Sequence, residues 1–266
     1  MPDLKEKLDN LYLQYKSKYS SKDPVWVLHR FSDPRDIEIM GLITASYSYG
    51  QVDLINKFTG KLLSRIGNKP YEFTINFTKG KDKKYLKGLN YRFNTEHDLI
   101  SLFNAVHHAV AGCGSLKNLF LKSYNEDSEN IVDALSCFIS ALNKLSNHTN
   151  GIERNYFNFL LANPSNKSTC KRMNLYLRWM VRKDEIDTGI WSEVNTSKLI
   201  MPVDVHVARI SKELKLVQRK SVDLKFALEL TENLKKFDKE DPVKYDFSLC
   251  HIGIDGISPG ILNLIN

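Results

Sequence analysis

"LLANPSNKSTCKRMNLYLRWMVRK", residues 160–183, contains a turn followed by a strongly periodic segment. Asn163-Pro164-Ser165-Asn166 has the composition of a turn that ends one short helix, and Ser168 or Thr169 can cap the next one. Apolar residues then recur at helical spacing along one side of that next helix: Met173, Tyr176, Leu177, Met180 and Val181. The stretch therefore predicts a helix–turn–helix pair whose second helix buries an apolar stripe.

The other side of the second helix is basic. At 100° per residue, Lys171, Arg178 and Arg182 point away from the apolar stripe. Residues 161–183 contain six Lys and Arg and no Asp or Glu, while the whole chain has a net charge of +7. The segment predicts a positive ridge, with backbone amides at the helix start that favour a phosphate. An ordinary solvated charged face is the alternative interpretation.

A second stretch, "MPVDVHVARISKEL" at residues 201–214, places one carboxylate directly before a helical pattern. Asp204 is positioned to accept hydrogen bonds from the amides of His206 or Val207, as a helix cap does. The spacing by itself favours a cap without further chemistry. A catalytic role for Asp204 is the alternative.

Composition indicates a globular chain that stays in the cytoplasm. Of its 266 residues, 42% are hydrophobic and 26% are charged. The apolar run at residues 39–52 is too short and too polar to span a bilayer, so we expect a buried helix and no membrane contact. The first 20 residues are charged and amphipathic, unlike a secretory signal. Four dispersed cysteines form no CxxC pair, which argues against disulfides, zinc and iron–sulfur sites.

Helical periodicity dominates the chain and predicts an all-α protein. One β-like run with turn chemistry interrupts the pattern at residues 71–93. Loops between lobes are expected around residues 124–130 and 146–151. We expect Tyr47, Tyr49, Phe103, Tyr176 and Trp179 to be core residues rather than stacking platforms. The predicted helices are 3–19, 34–48, 51–66, 96–110, 128–145, 153–162, 168–182, 204–215, 222–236 and 242–251.

Together the two stretches resemble the helix-hairpin-helix DNA glycosylases. The likeness comprises a hairpin, a helix whose first turn carries Lys171, and the helix start "PVDVHVARISKELKL". The separation of 33 residues between Lys171 and Asp204 and the "PVD-x-x-VAR" pattern are similar to the archaeal 8-oxoguanine glycosylase branch. Two features differ from relatives: the turn at residues 163–167 lacks glycine, and the iron–sulfur cysteines of endonuclease III relatives are absent.

This resemblance implies an all-α, two-lobed helix-hairpin-helix DNA glycosylase-like helical bundle that binds duplex DNA across the cleft between its lobes. We expect residues 1–266 to form a single glycosylase-like unit with two lobes, at about 30–150 and 151–215. The N-terminal and C-terminal helices are expected to complete one of these lobes. In the family's signatures the aspartate is catalytic and the lysine of bifunctional members forms a Schiff base, which implies those roles for Asp204 and Lys171. The DNA-contacting residues expected around them are Ser165, Asn166, Lys167, Ser168, Thr169, Arg172, Arg178, Arg182, His206, Arg209 and Lys212.

The implied function is DNA repair: base excision with abasic-site β-lyase activity on duplex DNA containing a damaged base, with oxidised purines suggested by the archaeal branch. We expect a monomer that needs neither a metal nor another cofactor. Two alternatives stay open from the residues. One is a DNA-binding protein of the same fold without catalysis, and the other is a helical protein–protein adaptor whose basic ridge meets an acidic partner.

Nearly the full chain also resembles a family of bacterial proteins of unknown function. The matching stretches are "DPRDIEIMGLITASYSYGQV", "YRF", "KRMNLYLRWMVRKDEIDTGIW" and "DPVKYDF".

Overall fold

A computed structural model describes residues 2–16, 22–146 and 152–254, and the protein is all-α over these residues. Four short 3-10 helices, Pro24–Arg30, Pro164–Asn166, Thr196–Lys198 and Pro242–Tyr245, connect α-helices. In chain order the α-helices of the described residues are α1 Pro2–Tyr15, α2 Pro34–Ser46, α3 Val52–Arg65, α4 Pro70–Ile75, α5 Lys79–Leu86, α6 Glu96–Cys113, α7 Leu116–Leu121, α8 Val132–Leu145, α9 Ile152–Leu160, α10 Lys171–Val181, α11 Val205–Glu213, α12 Leu224–Lys235 and α13 Asp246–Ile254.

The chain forms two compact units. The first unit combines residues 1–21, 128–131 and 164–266, and the second combines residues 22–127 and 132–163. The first unit is therefore assembled from three separate segments of the chain and the second from two. Over the described residues, no helix has the length and apolar character that a bilayer crossing requires.

The second unit is organised around α6, against which α4, α5, α7, α8 and α9 pack. Thr95 and Asp98 form a reciprocal capping box at the start of α6, and Leu102, Phe103 and Val106 are fully buried. The buried Glu38 of α2 accepts hydrogen bonds from the amides of Leu116 and Lys117, which start α7. A carboxylate at this helix end satisfies two amides that lack partners within α7.

Each helical segment predicted from the sequence contains a helix, and the strand character predicted for residues 71–93 is wrong. That region forms α4 and α5 instead, followed by a single bridge between Tyr91 and Asn94. Pro70 begins α4, and the Asp36 carboxylate accepts from the Tyr71 amide at 2.7 Å, so helix-start interactions outweigh β propensity here. Residues 17–19 and 147–151 of the predicted elements lie outside the described residues.

In the first unit, α10 is buried on nearly every side. The predicted stripe is confirmed, because Met173, Tyr176, Leu177, Met180 and Val181 are all buried. Trp179 on another face is also fully buried. Of the five aromatic residues assigned to the core, four are buried, and Tyr49 is half-buried.

The predicted basic ridge is wrong for Arg178 and Arg182, which are buried among carboxylates of the first unit. Arg178 donates to Asp187 at 3.1 and 3.2 Å and contacts Asp246. Arg182 donates to Asp241 and Asp184 at 2.9 Å and also contacts Asp187. The helical pattern identified the correct side of α10 but could not show that acidic segments cover it. We call these two arginines and the four aspartates 184, 187, 241 and 246 the charge network.

A tight loop after α10 supplies two members of the charge network. The Trp191 amide donates to the Met180 carbonyl at 2.7 Å, and the Thr188 hydroxyl donates to the Trp179 carbonyl at 2.7 Å. Gly189 has φ +60°, and a Cβ there would clash with the Cβ of Lys183. The chain can turn back onto α10 at this point because glycine tolerates both the left-handed backbone and the close contact.

We expect Arg182→Met to destabilise the protein by about 3–5 kcal/mol, because it leaves buried carboxylates without their counter-charge. Urea denaturation followed by circular dichroism measures this change. Arg35→Met is the matched control, since Arg35 pairs with Asp33 on the surface and should have little effect. Equal, small effects of the two substitutions would contradict a stabilising role for the charge network.

Candidate active site

The start of α10 places Lys171 as the first helical residue. Cys170 before it adopts a left-handed backbone with φ 50° and ψ 35°, and the Ser168 hydroxyl accepts from the Cys170 amide at 3.1 Å. Burial raises the pKa of the Cys170 thiol to about 11, so this thiol stays protonated at neutral pH. The Lys171 side chain, with 33% of its surface exposed, therefore presents an accessible amine at this helix start.

Asp204 uses its two carboxylate oxygens differently. Its Oδ1 accepts from the amides of His206 and Val207, both at 2.9 Å, so the predicted helix cap is confirmed. Its Oδ2 is not used in the cap and lies 3.7 Å from the Lys171 Nζ. The Asp204 side chain retains 18% of its surface exposed. One residue thus starts α11 and presents a second oxygen to Lys171.

The structure brings Lys171 and Asp204 together within the first unit, although 33 residues separate them in the chain. Because both side chains project from helix starts that are part-exposed, an amine and a carboxylate reach the same small volume. A ligand that enters this volume can therefore contact an amine and a carboxylate at the same time.

Two further side chains from α13 border the pair, and sequence reasoning missed both. The Cys250 thiol donates weakly to Asp204 Oδ2 at 3.8 Å. Burial raises the pKa of Asp246 to about 6. The positive charge of Arg178 acts to lower this pKa, whereas the negative charge of Asp204 acts to raise it. The "DPVKYDF" stretch contains Asp246, but nothing in its spacing pointed to Lys171 or Asp204.

Helices α11 and α13 approach closely at Gly253. A Cβ on Gly253 would come within 2.6 Å of the His206 Cβ, and the Arg209 guanidinium donates to the Gly253 carbonyl at 3.1 Å. This contact fixes the beginning of α11, and therefore Asp204, against the helix that carries Asp246 and Cys250. Val205, the residue after Asp204, is 78% exposed. An apolar side chain in that position is available to contact a ligand that approaches the pair.

The predicted DNA-contacting residues divide into three groups. Arg172, Arg178 and Arg182 are buried, so they are not available to a phosphate in this structure. Arg209 pairs with Glu213, and Lys212 donates to the Lys220 carbonyl at 2.8 Å, although both remain exposed. The others are exposed or half-exposed on the first unit: Ser165, Asn166, Lys167, Ser168, Thr169 and His206.

Within the residues that the structure describes, no group of three or more His, Cys, Asp and Glu side chains is arranged to hold a metal ion. The fold and the site together define an all-α protein with a lysine–aspartate pair at two helix starts. The chain belongs to the family described as Protein of unknown function (DUF2400), which matches residues 23–255. No curated protein matches the chain, and no solved structure matches it.

Asp246 predicts a specific pH dependence of stability. Its native pKa of about 6 lies above the ordinary value of 3.8, so the native state binds this proton more tightly than the unfolded state does. The free energy of unfolding of wild type minus that of Asp246→Asn should therefore decrease as pH rises from about 4 to 7. The decrease should be up to about 3 kcal/mol. Urea denaturation of both proteins across that range measures the difference.

Asp223→Asn is the control, because the Arg219 hydrogen bond lowers the pKa of Asp223 to about 2. Its stability difference from wild type should change only slightly between pH 4 and 7, and in the opposite direction, because its native pKa lies below that window and the ordinary value of 3.8 lies at the lower edge. If the stability difference between wild type and Asp246→Asn also stays nearly constant over this range, the raised native pKa of Asp246 is wrong.

Proposed function

We propose that this protein is a DNA N-glycosylase with abasic-site β-lyase activity, of the two-lobed helix-hairpin-helix kind. The observation that carries the proposal is the 3.7 Å distance between Lys171 Nζ and Asp204 Oδ2 at two part-exposed helix starts. The resemblance of the motifs around these two residues to the glycosylase signatures supports the same reaction. Its substrate class is duplex DNA with a damaged base, and the resemblance to the archaeal branch favours oxidised purines.

In the proposed reaction the target nucleotide is first extruded from the stack. The neutral amine of Lys171 attacks C1′ of the sugar while the bond from C1′ to the base breaks, and the base leaves with the bonding electron pair. The Asp204 carboxylate stabilises the positive charge that develops on the sugar, and from 3.7 Å away it accepts the proton that the attacking amine loses.

Ring opening then breaks the bond between C1′ and O4′, O4′ takes up the proton that Asp204 accepted, and a protonated Schiff base between Lys171 and C1′ results. Loss of a proton from C2′ breaks the bond to the 3′ phosphate oxygen by β-elimination, and water later releases the lysine. The Asp204 cap is part of this arrangement, because the hydrogen bonds from His206 and Val207 to Oδ1 hold Oδ2 towards Lys171. The site therefore requires both helix starts.

Asp204→Asn should preserve the fold and DNA binding but reduce base excision by orders of magnitude. Asparagine caps a helix about as well as aspartate, whereas the lost charge acts mainly in the transition state. Excision and strand cleavage are measured on a panel of duplexes that each contain one damaged base. Asp223→Asn is the matched control, because Asp223 caps α12 in the same unit. Full activity of Asp204→Asn would refute the mechanism.

Lys171→Gln should abolish covalent trapping by borohydride, because an amide cannot form the Schiff base. Lys225→Gln, in the first turn of α12, is the control and should be trapped like wild type. Trapping of Lys171→Gln at the wild-type level would assign the nucleophile elsewhere. A wild type that binds duplex DNA but is inert on the entire panel would instead support the binding protein without catalysis.

Lys167 provides a test of DNA contact at the turn before α10. It is exposed, with a left-handed backbone at φ 60°. If it neutralises one phosphate, Lys167→Asn should lower the slope of log K against log salt by about one, and asparagine tolerates the same backbone. Fluorescence anisotropy of a labelled duplex at several salt concentrations measures the slope. An unchanged slope, equal to that of Lys225→Gln, would exclude this contact.

A further inference from the structure

The second unit carries a cluster of exposed aromatic side chains. Phe93, Tyr156 and Phe159 are 40%, 41% and 39% exposed, and the half-buried Tyr49 adjoins them. The ring of Phe93 stacks on Tyr49 at 5.3 Å and lies 4.9 Å from Phe159 and 5.5 Å from Tyr156. We call these four residues the aromatic platform. Large exposed aromatic groups that contact one another form an apolar patch that requires an explanation.

A tight turn and one buried asparagine hold the aromatic platform in place. Tyr91 and Asn94 exchange two backbone hydrogen bonds of 2.8 and 2.9 Å, which positions Arg92 and Phe93 at the tip of the turn. The buried Asn94 side chain accepts from the Tyr49 hydroxyl and donates to the Tyr156 carbonyl at 3.0 Å. Because these bonds connect three separate segments, the rings are ordered before any ligand binds, which lowers the entropic cost of binding.

Cations border the aromatic platform on the side of Arg92. The Arg92 guanidinium lies 5.6 Å from the centre of the Tyr49 ring. It also lines a cavity of about 210 Å³ together with Lys57 and Lys61, which are one turn apart on α3. All residues that line this cavity are described by the structure, and none of them is a carboxylate. Three exposed cations around a cavity whose lining residues include no carboxylate favour an anionic ligand.

We propose that this surface of the second unit binds unpaired nucleotides of a single-stranded nucleic acid. The bases stack on the aromatic platform, and the backbone phosphates lie against Arg92, Lys57 and Lys61. Aromatic rings beside a positively charged groove are the combination that proteins use for single strands, because every base has a face that can stack. This inference does not depend on Lys171 or Asp204, and it goes beyond the proposed excision reaction.

Binding of a labelled oligothymidylate of about 12 nucleotides, measured by fluorescence anisotropy, tests the aromatic platform. Phe93→Ala should weaken binding by about five- to a hundredfold, and Phe159→Ala should act in the same direction. Phe93→Tyr should retain binding, because it keeps a ring that can stack. Ile75→Ala is the matched control, since Ile75 is another exposed apolar residue of the same unit. An oligouridylate of the same length distinguishes DNA from RNA as the preferred strand.

Arg92→Asn tests the cations separately. Asparagine tolerates the left-handed backbone of Arg92, at φ 53°, so the turn should be retained. If Arg92 neutralises one phosphate, the slope of log K against log salt should fall by about 0.7, the value for single strands. Lys235→Gln, which removes one lysine charge from the first unit, should not change the slope.

Three outcomes would overturn the inference. In the first, wild type binds neither oligonucleotide, and in the second, Phe93→Ala binds as tightly as wild type. In the third, light scattering shows that wild type is a dimer and Phe93→Ala a monomer, so the aromatic platform is an interface between copies of the chain. Neither probe contains a damaged base, so the result is independent of excision. Wild-type protein that binds oligothymidylate but cuts no damaged duplex would support this inference and refute the proposed function.

Discussion

Arg178 of α10 and Arg182 directly after it are buried against four buried or half-buried aspartates, and the first unit depends on this charge network. Each arginine loses its hydration on burial, so its charge must be compensated by carboxylates at hydrogen-bonding distance. Asp184 and Asp187 come from the loop directly after α10, whereas Asp241 precedes the 3-10 helix that leads into α13 and Asp246 begins α13. Tyr12 of α1 also donates to Asp184 at 2.9 Å. The network thus fixes three distant parts of the chain around one helix.

The same network determines the surroundings of the candidate active site. The Arg178 side chain contacts Asp246, and Asp246 is close enough to Asp204 and Lys171 for their charges to affect its pKa. One end of α10 is therefore fixed by buried ion pairs, while its first residue, Lys171, remains accessible. The close contact between Gly253 and His206 then holds the start of α11 beside α13. Stability and site geometry are consequently linked through Asp246, which belongs to the network and borders the pair.

Periodicity and capping chemistry predicted most of the fold. The apolar stripe of α10 and the Asp204 cap follow from local spacing, and both are present. Local spacing could not place Lys171 beside Asp204, since that contact depends on packing between elements 33 residues apart, and only the resemblance to a family suggested it. The helical pattern misassigned Arg178 and Arg182 to solvent because it contains no information about what covers a face. Asp184 and Asp187, which follow α10 directly in the chain, were the sequence signal that carboxylates cover this face.

Asp204 can combine the observed cap with the proposed catalytic role, because the two roles use different atoms. The cap requires one acceptor, and Oδ1 supplies it to two backbone amides. Those two hydrogen bonds restrict rotation of the carboxylate and so direct Oδ2 towards the amine 3.7 Å away. A longer, uncapped carboxylate would lose more side-chain entropy on being held at that distance. The interaction that begins α11 is therefore the one that positions the negative charge beside Lys171.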